Sequence, residues 1–172
     1  KLPGIQKKFI RRCVQSGKIV ITATQMLESM TTSPIPTRAE ITDVANAVFD
    51  GTTAVMLSGE TAAGQYPVEA VAAMAKIAEQ AEADRPKTPS RNIVWHEMDA
   101  LDVTNAVGHA ACTLAKDINA AALMAITKTG YTASRMSKFR PEIMIIGATP
   151  YQKTYHQLSL IWGVMPVMAN YR

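Results

Sequence analysis

The sequence predicts an α/β protein with mainly parallel strand pairing. Strand-like apolar runs alternate with amphipathic helical runs along the whole chain, without an internal repeat. The first two strand runs begin at Ile19 and Thr53, roughly 34 residues apart, which suits a strand–helix–strand crossover. Both end in polar residues: Thr22, Thr24 and Gln25 on one, Ser58 and Glu60 on the other. In parallel α/β folds chemistry collects beyond the carboxyl ends of the strands, so these ends form the first candidate site.

Each element has its own signal. Ile5, Phe9, Ile10, Cys13 and Val14 recur at helical spacing with basic residues opposite, and Gly17 supplies a left-handed stop. Ile19 to Thr24 is a short, β-branched run that reads as a buried strand. Gln25 to Pro36 reads as a loop kept extended by Pro34 and Pro36. Thr37-Arg38-Ala39-Glu40 is a capping box: the threonine hydroxyl accepts the third amide while the glutamate reaches back. It opens a helix with the stripe Ile41, Val44, Ala45, Val48 and Phe49, ended by Asp50-Gly51. Thr53 to Leu57 is the second strand. Gly59 and Gly64 allow a tight loop, and Pro67 suits the first turn of a helix that buries Val71, Met74, Ala75 and Ala78.

Asp84 to Arg91, with two prolines, several charges and no large apolar residue, is the best boundary. Asn92 to Ala100 fits no single element. Beyond it, Val103, Ala106, Val107, Ala110, Ala111 and Leu114 mark a helix face. Ala121–Ile126, Ile143–Ile146 and Val164–Met168 read as strands, and Tyr131–Phe139 and Tyr151–Trp162 as helices. Met26, Met30, Met56 and Met74 read as core filler, and Trp95 and Trp162 as core or interface aromatics.

Composition narrows the function. A chain of 172 residues, 48% apolar and 19% charged, is an ordinary soluble mixture able to bury a core in one or two domains. No apolar run reaches the ~18 residues of a membrane span, and no signal peptide is recognisable. Cys13 and Cys112 read as reduced thiols, which points to the cytoplasm. The net charge of +4 is mild, and Lys7-Lys8 with Arg11-Arg12 read as a solvated helix face, so no nucleic-acid partner is expected. His96, His109 and His156 are scattered, and there is no Cys-x-x-Cys, dinucleotide fingerprint or Walker loop. Both ends read as cut, so a fragment is expected.

Two loops remain as candidates. Thr24, Ser58 and Glu60 place two hydroxyls and a carboxylate at adjacent strand ends, able to hold a water and pass a proton. The residues alone favour a plainer reading, in which Thr24 and Ser58 cap loops and Glu60 pairs with a nearby arginine. Thr127-Lys128-Thr129-Gly130-Tyr131-Thr132 lies between a strand and a helix start; its hydroxyls, lysine and helix amides make a phosphate cradle or a plain cap.

The segments ATQMLESM, PTRAE followed by DVANAVFDG, and MLSGETAAGQYPVEAV resemble, in order and spacing, the motifs of pyruvate kinases. The resemblance is dense over residues 6–82 and looser over 102–168. It implies the last two β/α units of a TIM-type (β/α)8 barrel in residues 1–83, a linker in 84–97, and an incomplete three-layer α/β regulatory domain in 98–172. It implies phosphoryl transfer from phosphoenolpyruvate to ADP in glycolysis, with Mg2+ and K+, in a cytoplasmic homotetramer. Thr24 matches the threonine beside the substrate methylene carbon, and Ser58 and Glu60 match the network that delivers a proton there. Arg38 matches an arginine near a subunit contact, although a helix-start arginine paired with an acid reads equally well. Thr127, Lys128, Thr129, Gly130 and Thr132 fall where regulated members bind the phosphate of a sugar-phosphate or nucleotide effector, with Tyr131 in place of an arginine or serine. Ala63 stands where many members carry a lysine near the nucleotide. The metal ligands, the phosphate-binding lysine and the lid of the family precede the matched region. This chain alone is therefore expected to be inactive, with an unpaired edge on the strand beside the gap. The alternative is a stand-alone module in which all five strands join one doubly wound sheet and Thr127–Thr132 binds a phosphorylated metabolite.

Overall fold

The computed structural model describes residues 2–23, 25–84 and 102–170. The chain divides into two compact units, Lys1–Val14 with Val20–Lys87, and Gln15–Ile19 with Thr88–Arg172.

The first unit contains α1 (Leu2–Gln15), β1 (Ile21–Thr22), a 3-10 helix (Glu28–Thr31), α2 (Arg38–Asp50), β2 (Ala54–Val55), α3 (Gly59–Ala62) and α4 (Pro67–Ala83). Strands β1 and β2 pair in parallel, Ile21 opposite Ala54 and Thr22 opposite Val55. Pairing is limited to these positions, and the expected buried strand is not found: Ile19 is 45% and Ile21 47% exposed. A two-stranded sheet has no further strand to cover its flanks, and its outer edges have no ladder partner among the described residues.

Local chemistry sets the helix ends. Thr37 caps α2 with both arms of the capping box formed, and Gly51 closes it at φ 90°. Pro67 begins α4, where its missing N–H costs no hydrogen bond. The core gathers Met26, Leu27, Met30, Val44, Ala47, Ala70 and Met74, with Val55, Leu57, Ala73 and Ile77 packed against them. Ala47 is buried while Phe49 lies 44% exposed, and Ala70 and Ala81 are buried where Val71 was expected. Both helices carry apolar residues around much of their circumference, and α2 and α4 pack chiefly against each other. Of the four methionines that read as core filler, Met26, Met30 and Met74 are core residues, whereas Met56 is 40% exposed.

The second unit contains α5 (Val103–Asp117), β3 (Ala122–Ile126), α6 (Tyr131–Lys138), β4 (Met144–Thr149), α7 (Gln152–Leu158) and β5 (Val164–Met168). Its sheet runs β3-β4-β5, all parallel. Leu123, Ala125, Ile145 and Val164 alternate onto the face that meets Cys112, Ala133, Met136, Phe139 and Leu158. Met124, Ile126, Met144 and Met165 occupy the other face and are exposed. The five strands among the described residues therefore form two sheets, not the single doubly wound sheet of the stand-alone alternative.

Helix α5 reverses the expected orientation. Its buried residues are Asn105, Gly108, Cys112 and Ala115, while Val103 is 75%, Val107 58% and Leu114 59% exposed. Gly108 explains the choice. A β-carbon there would already lie 3.6 Å from the Phe139 ring and 3.7 Å from Met136, so a larger residue would hold α6 away. Cys112 sits in this contact as a free, buried thiol whose Sγ faces the Met136 carbonyl at 3.7 Å, and burial pushes its pKa up to about 11. Asn92–Ala100 and Trp95 lie outside the described residues.

Candidate functional site

The loop after β1 is drawn inward by Met26, Leu27 and Met30, all 5% exposed or less. Glu60, on α3 just beyond β2, is 1% exposed and meets this loop directly. Its Oε1 accepts the Leu27 amide at 3.0 Å and its Oε2 accepts the Ser58 amide at 2.8 Å. Burial pushes its pKa up, but hydrogen bonds from the amides of Glu60 itself, Ser58 and Leu27 outweigh that, and the net shift is downward. Glu60 is thus an ionised acceptor holding two strand-end loops together, and the arginine pairing open from sequence is not what it makes among the described residues. The backbone carbonyl of Ser58 accepts the amides of Thr61 and Ala62. Its half-buried hydroxyl has no hydrogen-bond partner among the described residues. Thr24 lies outside the described residues.

Glu40 does more than the sequence disclosed. Its Oε1 accepts the Ser29 amide at 2.7 Å; its Oε2 accepts the Ser29 hydroxyl at 2.5 Å and the Thr37 amide and hydroxyl at 2.8 Å each. Burial raises its pKa, yet the Ser29 and Thr37 bonds prevail and hold it down at about 2. Helix periodicity reveals the Thr37 half of this arrangement and is silent on Ser29, which lies in a different element. Arg38, on the first turn of α2, is exposed with no ion-pair partner among the described residues.

No group of three histidine, cysteine, aspartate or glutamate side chains among the described residues could hold a metal ion. Both oxygens of Glu40 and of Glu60 accept N–H or O–H groups, which fixes each carboxylate in orientation.

In the second unit, Thr127 is 5% exposed and its Oγ1 accepts the Gly130 amide at 2.9 Å. Gly130 takes φ 84°, which suits a residue without a β-carbon, and precedes α6 directly. The Ser134 amide bonds to the Gly130 carbonyl, so the amides of Tyr131, Thr132 and Ala133 precede the first helical bond. Lys128 and Thr129 are exposed, and the Lys128 carbonyl accepts the Thr154 hydroxyl at 2.8 Å. The loop thus combines one engaged hydroxyl with a helix N-terminus and an exposed lysine.

Tyr131 bonds to the residue that caps α5. Its hydroxyl donates to Asp102 at 2.8 Å, and the other oxygen of Asp102 caps α5 through the Thr104 and Asn105 amides. The Arg135 guanidinium lies 4.6 Å from the Tyr131 ring centre. The Tyr131 bond, with the amides and Arg135 assisting against desolvation, lowers the Asp102 pKa. An aspartate capping a helix is readable from sequence; its partnership with a tyrosine on another helix is not.

Comparison with known proteins follows the division of the chain. The family model described as pyruvate kinase, barrel domain, matches residues 1–71, and that described as pyruvate kinase, alpha/beta domain, matches residues 105–171. The chain is 52% identical over 167 residues to "Pyruvate kinase 2" of Synechocystis sp., covering 97% of this chain and 27% of that protein. It is 44% identical over 179 residues to the pyruvate kinase of Clostridium acetobutylicum, covering 99% of this chain and 36% of that one. A crystal structure of a pyruvate kinase from Cryptosporidium parvum superposes with TM-score 0.86 at 41% identity, over 96% of this chain and 34% of that one. The chain thus spans about a third of the length of these relatives. With both family models matched in order and the fold reproduced, the chain belongs to the pyruvate kinase family.

Proposed function

We propose that this chain contributes the proton-delivery side of a pyruvate kinase active site, in a protein that transfers the phosphoryl group of phosphoenolpyruvate to ADP. The observation that carries this reading is the end of β2. The Ser58 hydroxyl is half-buried and unengaged among the described residues, beside a glutamate whose carboxylate is fixed by two amides. After phosphoryl transfer the enolate must gain a proton at its methylene carbon. The C=C electron pair forms the new C–H bond as the oxygen returns to a carbonyl. Thr24 and Ser58 are suited to pass that proton from water. Glu60, ionised and holding one amide on each oxygen, is suited to orient Ser58 rather than to donate the proton itself.

Mg2+ and K+, in this reading, supply charge neutralisation at the phosphoryl group and are held by residues outside this stretch. Self-association into a tetramer, cytoplasmic location and a contact through Arg38 belong to the same proposal; the exposure of Arg38 is compatible with it. Among the described residues no helix is long and apolar enough to cross a membrane.

Kinetics of the full-length polypeptide test the assignment. Thr24→Ala is expected to lower kcat on the order of 100-fold with little change in KM, the pattern of an interaction made in the transition state. Ser58→Ala should fall in the same direction. Unchanged turnover in both variants would remove the pair from the mechanism.

The helix start at Tyr131 favours a second role, binding of a phosphorylated effector by Thr127, Lys128, Thr129, Gly130 and Thr132. A sugar phosphate at millimolar concentration should raise the Tm of the full-length protein by a few degrees, and Lys128→Ala should reduce that shift. No shift in the parent protein would leave the loop a helix cap.

A further inference from the structure

The strand-end site is flanked by a loop whose position is fixed from outside itself. Residues 25–36 leave β1 and reach α2 with only a single 3-10 turn inside them. Apolar anchoring by Met26, Leu27 and Met30 sets their depth, but apolar contacts are not directional and do not set orientation. The directional contacts come from two carboxylates on different helices. Glu60 takes the Leu27 amide, and two residues later Glu40 takes both the amide and the hydroxyl of Ser29. A third tie, the Gln65 amide donating to the Thr31 carbonyl at 2.8 Å, follows two residues further on. The loop is therefore gripped at alternate positions by α2, α3 and the segment that follows α3.

Capping α2 does not require this. The cap needs the Thr37 hydroxyl on the Glu40 amide and a Glu40 oxygen on the Thr37 amide, and one oxygen of Glu40 supplies its share of that. The remaining oxygen is given entirely to Ser29, and the Ser29 hydroxyl shares the first. Neither Glu40 nor Glu60 is in an ion pair among the described residues.

We propose that Glu40, acting through Ser29, is a positioning residue for the reaction at the ends of β1 and β2. The proposal rests on the pyruvate kinase reading above. Holding Ser29 fixes the course of Gln25–Leu27 where the chain leaves β1, and Leu27 in turn shares Glu60 with Ser58. Misplacement of reacting groups by about 1 Å can cost on the order of 100-fold in rate, so a loop held at several points has a direct kinetic role.

The test uses the full-length polypeptide and separates cap from clamp. Glu40→Gln keeps size but replaces one acceptor oxygen with an NH2 group. Ser29→Ala removes the hydroxyl. Thr37→Ala removes only the cap hydroxyl and leaves Ser29 paired. Hydrogen exchange of peptides covering residues 25–36 is read alongside steady-state kinetics. Glu40→Gln is expected to speed exchange there about 10-fold and to lower kcat about 10-fold, with KM changed less. Ser29→Ala should move both readouts in the same direction, and the double variant should lose much less than the sum of the two. Thr37→Ala should leave loop exchange and kcat within about two-fold of the parent. The proposal is overturned if Glu40→Gln and Thr37→Ala behave alike, or if the loop loosens while kcat is unchanged. If the parent protein has no pyruvate kinase turnover, the functional reading and the kinetic role fail together. In that case the exchange measurement still decides whether Glu40 holds the loop.

Discussion

Replacing Glu60 by alanine is expected to destabilise the first unit by about 3 kcal/mol or more, among the largest effects of any single change there. The side chain is 1% exposed and both oxygens accept backbone amides. Its removal leaves a cavity and two N–H groups without acceptors, in a place water does not reach. Glu60→Gln preserves the volume but sets an NH2 group against one of those N–H donors, so it should recover only part of the loss. Glu79→Ala, on the exposed face of α4, is the control and should stay within about 0.5 kcal/mol of the parent. Denaturant unfolding followed by far-UV circular dichroism gives the comparison. A Glu60→Ala protein as stable as Glu79→Ala would show that the Leu27 and Ser58 bonds contribute nothing net.

Gly64→Ala is expected to cost about 2–4 kcal/mol by overpacking. A β-carbon on Gly64 would lie 2.4 Å from the Glu60 carbonyl oxygen, 3.1 Å from its carbon and 3.2 Å from the Thr31 α-carbon. All three are backbone atoms, so no side chain can swing aside. Relief requires moving the end of α3 away from the loop, which strains the Gln65–Thr31 hydrogen bond and draws Glu60 from Leu27. Gly59→Ala is the matched comparison. Its nearest neighbour would be the Thr31 methyl at 3.8 Å, an ordinary contact, so that variant should be tolerated. Equal melting temperatures for the two alanine variants would contradict the close approach at Gly64. The two substitutions converge on one prediction about activity: loss of this contact should loosen the loop that Glu40 and Glu60 hold.

How much of this was legible depends on how far each cause lies along the chain. The capping box at Thr37 and Glu40, the end of α2 at Asp50-Gly51 and the start of α4 at Pro67 involve neighbours, and the sequence predicts each. Strand β5 was found at its expected limits, Val164–Met168. The 3-10 helix at Glu28–Thr31 and the helical turn α3 fall in stretches that the sequence reads as plain loop, because their stability comes from packing and from Glu60 rather than from propensity. In helix α5 the larger apolar residues predict a buried face of Val103, Val107 and Leu114, yet Gly108 and Cys112 face the core, and of the predicted stripe Ala111 packs against it.

By itself the sequence determined the family, the order of strands and helices, and the candidate polar residues at the strand ends. Motif order and nearest-neighbour chemistry are written directly in it. The tertiary structure alone decided that Glu60 is an acceptor of the Leu27 and Ser58 amides, that Glu40 is shared between Thr37 and Ser29, and that Tyr131 turns to Asp102. Most of these contacts join residues from different elements. No periodicity encodes them, and the direction of a buried hydrogen bond is settled only when packing brings donor and acceptor together out of water.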